Sequence, residues 1–295
     1  MNKTGKFVFL NLCISIIFCF GTVYAQDSYQ AEVSAKYYSS EDDDNIEYKI
    51  YGVNAAVYFS KVDTAGHPLA EAAFLERIGS IEVIAGIEEY KEEPNFEVDG
   101  PLYGVGATFM NPKLPIAFQA SFITSKLEFD SPSDGDATKD LYEFGFGYFI
   151  TDRLIAWLIY GYSDVEQPIP GANITTEYNN YELSAKYVKV LVDGTAFNIE
   201  GGLVLRQFDD GIEDGSNTIF NVLCDYYINQ KVSIGAGFEI NTGDYKGDEG
   251  KTFAMDFKAF VLPRISINAG FEKFFADNDV GSDKESLQVT LSARF

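Results

Sequence analysis

Apolar and polar residues alternate along this chain with a period of two, from about residue 29 to residue 295. In "YQAEVSAKYY" (29–38), Tyr29, Ala31, Val33, Ala35 and Tyr37 share one face, and Glu32, Ser34 and Lys36 take the other. "SIEVIAGIEEY" (80–90) sets Ile81, Val83, Ala85 and Ile87 against Glu82 and Glu88. "LYEFGFGYFI" (141–150) sets Tyr142, Phe144, Phe146 and Tyr148 against Glu143, Gly145 and Gly147. Successive side chains of a strand point to opposite faces, so this rhythm predicts strands. Fourteen such segments follow one another: 29–38, 46–60, 80–90, 100–110, 116–128, 141–150, 154–163, 176–188, 196–208, 217–228, 232–241, 252–261, 265–275 and 285–295. Most are near the ~9–11 residues that a tilted strand needs to cross a bilayer.

The connections alternate in kind. "NPKLP", "TDR", "NQK" and "LPR" are short, whereas "SSEDDDN", "KEEPNFEVD", "DSPSDGDATKD", "DVEQPIPGANITT", "DDGIEDGS", "TGDYKGDEGK" and "ADNDVGSDKE" are longer and mostly acidic. Short turns at one end and long loops at the other are the pattern of an outer-membrane barrel. "VSIGAGFE" (232–239) and "ISINAGFE" (265–272) match at six of eight positions, so one hairpin unit is reused. "KVDTAGHPLAEAAFLERIG" (61–79) is too long for a short turn. Pro68 can start a helix, and "LAEAAFLER" clusters Leu69, Ala72, Ala73 and Leu75. The expectation is a short helix at 68–77 that caps or partly plugs the mouth of a barrel. An ordinary packed loop is the alternative.

The regular apolar faces leave no strand set to form the second layer of a soluble sandwich. The fold class expected is therefore all-β: an up-and-down antiparallel transmembrane barrel, apolar towards lipid and polar towards a water-filled lumen. Closure satisfies every backbone donor and acceptor and removes free edges. The last segment, "SLQVTLSARF", places Leu287, Val289, Leu291 and Phe295 on one face. It is similar to the C-terminal signal read by the machinery that inserts outer-membrane barrels.

Composition changes the picture at the front of the chain. Lys3 and Lys6 precede the apolar run "FVFLNLCISIIFCFG", and "VYA" ends at Ala25, the layout of a signal peptide over 1–25 with the barrel over 26–295. An uncleaved anchor is the rival reading. With the leader go Cys13 and Cys19, so Cys224 alone remains and no intrachain disulfide can form. The net charge of −23 argues against a nucleic-acid partner, and no later stretch is apolar for ~18 residues, as a membrane-spanning helix requires.

The stretch "YGVNAAVYFSKVDTAGHPLAEAAFLERIGSIEV" (51–83) resembles the general bacterial porin family of Gram-negative bacteria, most of all in "HPLAEAAFLER". The rest of the chain shares strand rhythm, acidic loops and a terminal Phe. The resemblance implies an outer-membrane barrel that passes small solutes. It brings no catalytic residues.

Candidate chemistry is sparse. A histidine base serves most hydrolases, and the one histidine, His67, lies in the 61–79 connection, where a turn residue before Pro68 is the plain reading. No enzyme activity is expected. Asp130, Asp134, Asp136 and Asp140 in one loop and Asp277, Asp279 and Asp283 in another offer oxygen ligands suited to Ca²⁺, but neither loop ends in the Glu of an EF-hand. Solvated acidic loops are the plainer reading, and no organic cofactor is implied. "GVG" (104–106), "GFG" (145–147) and "GAG" (235–237) lie inside strands, so they are not phosphate loops.

The polar phase of the strands points ten acids into the lumen: Glu32, Glu82, Glu88, Glu143, Glu182, Glu200, Asp225, Glu239, Asp256 and Glu272. Five bases join them: Lys36, Lys186, Arg206, Lys258 and Arg294. Some pair across strands, with Glu182, Lys186, Asp256 and Lys258 the expected partners of their neighbours. A surplus of carboxylates favours cations; paired scaffolding charges that set no selectivity are the alternative. Trp157 points inward if Leu154, Ala156, Leu158 and Tyr160 face lipid, and would then meet an inserted loop or the 68–77 helix; a lipid-facing Trp157 at a protomer contact is the alternative, because "LIAWLIYGY" is apolar on both faces. The function expected is passive diffusion of small hydrophilic solutes with a mild cation preference, in a Gram-negative outer membrane. A substrate-specific channel for an oligosaccharide or peptide, and a closed structural or adhesive barrel acting through its loops, are the alternatives. Expected partners are outer-membrane lipid and lipopolysaccharide, periplasmic chaperones, the insertion machinery, and a second copy of the chain.

Overall fold

The computed structural model describes residues 28–92, 96–128, 136–169, 172–191, 194–209, 211, 214–243, 249–277 and 281–295. The leader expected at 1–25 lies outside them. Every expected segment is a strand: β1 (Ser28–Asp42), β2 (Ile46–Asp63), β3 (Ser80–Glu92), β4 (Phe96–Met110), β5 (Ile116–Glu128), β6 (Asp136–Thr151), β7 (Leu154–Ile169), β8 (Ala172–Val190), β9 (Ala196–Asp209), β10 (Asp214–Asn229), β11 (Val232–Gly243), β12 (Gly250–Leu262), β13 (Ile265–Ala276) and β14 (Lys284–Arg294). Each strand pairs antiparallel with its sequence neighbours, and β1 pairs with β14, which closes the barrel.

Apolar side chains of one phase cover the outside. Val83, Tyr103, Phe144, Leu158, Leu183 and Met255 are all exposed there, Met255 at 70%. Such a continuous apolar surface requires a lipid covering, since soluble monomers rarely expose large apolar patches. Cys224 is exposed on this same outer phase.

The strands run further than the alternation foretells, chiefly at the long-loop end. "SSEDDDN" shrinks to a tight turn between β1 and β2. The Asp42 carboxylate accepts the Asp44 and Ile46 amides, and Asn45 takes a left-handed φ of 61°. "DVEQPIPGANITT" becomes the tip of a β7–β8 hairpin that pairs out to Ile169 and Ala172. Above a bilayer both faces of a strand are polar, so the ladder continues where the apolar signal has stopped.

Two irregularities matter. Pro101 lies within β4, where it has no amide to donate; the β4–β5 pairing skips Gly100 and Pro101 there, between Asp99–Glu128 and Leu102–Ser125, and keeps its register. Gly100 beside it has its Cα so near the Lys126 carbonyl that a Cβ would lie 1.5 Å from that oxygen. At the barrel seam, the Phe295 carbonyl accepts both the Gln30 amide (2.6 Å) and the Ala31 amide (3.0 Å). The β1–β2 register also shifts between Tyr29 and Ala31. The alternation assigns Tyr29 to the outer face; this bulge turns it inward, where it is 4% exposed against Val62, Ala72 and Ile78.

The 61–79 connection enters the barrel. Its helical part is shorter than 68–77: a 3-10 turn over Leu69–Glu71, then α1 (Ala72–Leu75).

Candidate functional site: the lumen and its plug

The plug spans the short-turn mouth because each of its faces finds a different part of the wall. Leu69 donates its amide to the Gln230 carbonyl in the β10–β11 turn (2.9 Å). Its own carbonyl accepts Arg294 Nη1 of β14 (2.7 Å). Ala72 and Ile78 pack on Tyr29 and Val62 of β1 and β2. Phe74 packs beside Ala117, Phe149 and Ile155 of β5, β6 and β7. Trp157 joins that cluster, so its side chain faces the lumen beside the plug. Arg77, at φ 52°, donates to the Thr151 carbonyl and to Asp152 (2.8 Å), with its guanidinium over the Phe149 ring. His67 Nε2 bonds Glu76 Oε1 at 2.7 Å within the same connection.

Glu71 is the charged centre of this contact. It is 6% exposed, and both carboxylate oxygens are used. Tyr227 donates its hydroxyl to Oε1 at 2.6 Å, and Lys186 Nζ lies 2.9 Å from Oε2. Lys186 also meets Glu200, directly opposite on β9, at 2.8 Å. Asn198 donates to Glu200 (2.7 Å) and to Asp225 (2.9 Å). A polar chain thus runs from the plug into the wall. The sequence pattern misses Glu71, Tyr227 and Asn198: an acid in a helical segment reads as a solvent residue, and a Tyr and an Asn in alternating strands read as ordinary wall.

The remaining lumenal charges take the following places. Arg294 donates to Glu32 at 2.6 Å, with its guanidinium between the Tyr29 and Phe260 rings. Glu82 accepts Asn54, Glu143 accepts Ser121, and Arg206 donates to Asn180 (3.0 Å). Tyr48 bonds Glu88, which is buried. Lys36, Glu182, Glu239 and Glu272 share the lumenal phase by the alternation of their ladders. Of the expected cross-strand partnerships, Lys186 pairs with Glu200, which faces it across the β8–β9 ladder, and also with Glu71 of the plug. Glu182, Asp256 and Lys258 form no ion pair with a described residue; the Asp256 carboxyl contacts that of Asp225, across Gly235. Among the described residues, Glu32 and Glu200 are the two of the ten acids that form ion pairs with a base.

The loop carboxylates hold no metal cluster among the described residues. Asp136 pairs with Lys126 and Asp277 with Lys251, which occupies both. Asp130, Asp134 and Asp279 lie outside the described residues. On β14, Leu287 and Val289 are exposed on the outer phase, which Leu291 shares. The Phe295 amide donates to the Ala31 carbonyl at 2.8 Å.

A cavity of about 290 Å³ lies above the plug against β10–β14. Ala70 and Glu71 form its floor; Asp225, Asp256, Lys258, Asn268, Glu272 and Gln288 are among its walls.

No family model matches the chain, and no curated protein matches it in sequence. Among solved structures it is similar to the outer membrane protein Omp33 of Acinetobacter baumannii, at 20% identity over 92% of this chain and 100% of that one, with a TM-score of 0.60. It is also similar to a deltaS2 mutant of the TodX monoaromatic hydrocarbon channel, at 10% identity over 92% of this chain and 91% of that one, with a TM-score of 0.51. At these identities the likeness is one of fold. The chain is a closed fourteen-stranded antiparallel β-barrel of the outer-membrane type.

Proposed function

We propose that the protein is a narrow outer-membrane channel through which small hydrophilic solutes and ions diffuse passively, with a mild preference for cations. The observation that carries this reading is the state of the lumenal charges. Eight of the ten inward acids lack a basic partner among the described residues, whereas Lys186 and Arg294 are spent on acids and on the plug. Unpaired carboxylates in a low-dielectric wall draw cations and repel anions. Omp33 and TodX are named as outer-membrane protein and channel respectively, which supports the same setting. The short-turn end, with the plug, then faces the periplasm. The barrel carries solutes without transforming them, uses no organic cofactor, and meets lipopolysaccharide at its long-loop rim. The test is the reversal potential of the purified protein in a planar bilayer under a salt gradient. A cation-selective potential is expected; a zero or anion-selective one overturns the preference, and absence of any conductance overturns the channel.

The plug favours a selective channel over an open pore. It is anchored to strands on several sides of the mouth, which disfavours passage of an oligosaccharide.

A further inference from the structure

We infer that the cavity above the plug is a binding site for a small zwitterion, whose ammonium lies at Asp225 and Asp256 and whose carboxylate lies at Lys258. The inference rests on the channel reading, in which solutes enter this lumen, and names the class that the lumen retains.

The acidic half of the site is built by the ladder. Gly235 of β11 lies opposite Asp225 of β10 on one side and Asp256 of β12 on the other. Both side chains lean over it: a Cβ at Gly235 would lie 1.8 Å from Asp256 Oδ1 and 2.4 Å from Asp225 Oδ1. The two carboxyls are in contact with each other. Like charges this close need a proton or a cation between them. Asn198 donates to Asp225 Oδ2 and leaves Oδ1, the oxygen that lies over Gly235, for a ligand. An ammonium with three N–H donors matches such a pair.

A bare cation would not explain the rest of the cavity. Lys258 lies two residues from Asp256 on the same strand and the same face, roughly 7 Å along it. Its amine lines the cavity, is partly buried, and forms no hydrogen bond or ion pair with any described residue; Asp256, Glu32 and Glu71 act on it only from beyond that reach. An ammonium partly withdrawn from water and without an acceptor in reach is costly, and a ligand carboxylate would supply one. Opposite charges a few ångströms apart on one small molecule are the chemistry of an amino acid. The volume of about 290 Å³ is at the low end for ligand pockets and suits a solute of that size.

Isothermal titration calorimetry of the full barrel in detergent micelles tests this, with L-alanine, methylammonium and acetate as probes. Saturable binding of L-alanine is expected, at least tenfold tighter than either half-molecule. Asp256→Asn and Lys258→Met should each weaken it at least tenfold, with the strand circular dichroism unchanged; Asp225→Asn replaces Asp256→Asn should that variant not fold. No saturable heat, binding untouched by the substitutions, or methylammonium binding as tightly as L-alanine would overturn the site. The readout needs no current. Binding in a barrel that does not conduct would keep the site and defeat the channel, and conduction without binding would do the reverse.

Discussion

Glu71 shows how one side chain can hold a whole element. Its neighbours in "LAEAAFLER" are helix formers, and nothing local marks it. Its hydroxyl partner Tyr227 is 156 residues away, and the arginine that holds the Leu69 carbonyl, two residues before Glu71, is 225 residues from that leucine. Partnerships of that range depend on which strand ends meet at the mouth, and no local rhythm encodes them. Glu71→Ala would leave Tyr227 without its acceptor and Lys186 with Glu200 alone. A buried polar group left unsatisfied costs about 1–3 kcal/mol, so the plug should loosen. Single-channel conductance in a planar bilayer is expected to rise; an unchanged conductance would mean that the plug does not constrict the path. Cys224 and Asp225 give a second check at this scale, because adjacent residues face opposite solvents. In lipid vesicles Cys224 should resist a charged thiol reagent. A cysteine substituted at 225 in a Cys224→Ser background should react with it, and equal reactivity at both positions would contradict the assigned faces.

At the scale of the element, the strands were legible and their ends were not. Phe144, Phe146 and Tyr148 against Glu143, Gly145 and Gly147 state β6 plainly, since lipid and water on opposite faces impose a period of two. The signal stops where the bilayer stops, while the ladder of β7 and β8 goes on to Ile169 and Ala172. Trp157 was ambiguous for a related reason. Its segment is apolar on both faces because the plug, another part of the chain, supplies an apolar surface inside the lumen. The helical segment itself could be seen in "PLAEAAFLER", but not its shortening to a 3-10 turn and one α-turn, which follows from docking Leu69 on Gln230 and Arg294. Replacing residues 66–77 by a short Gly-Ser connection should leave the barrel closed and raise its conductance more than Glu71→Ala does. Retention of strand circular dichroism together with wild-type conductance would count against the plug. Phe295→Ala should lower the amount of assembled barrel in outer membranes, and normal levels would remove Phe295 from the assembly signal.

For the whole molecule, charge and closure act together. Unpaired lumenal carboxylates select ions only over the distance at which salt leaves them visible, about 10 Å at 0.1 M and 3 Å at 1 M. The cation preference is therefore expected to be clear at 0.1 M and to fade towards 1 M salt; a preference independent of salt would point to a tight coordinating filter instead. Closure also ties the plug to the seam. Arg294 belongs to the strand that seals the wall, is clasped to Glu32 on the first strand, and also grips the plug at Leu69. One guanidinium thus fastens both the cylinder and its door, so a barrel whose first and last strands part also unlatches its base.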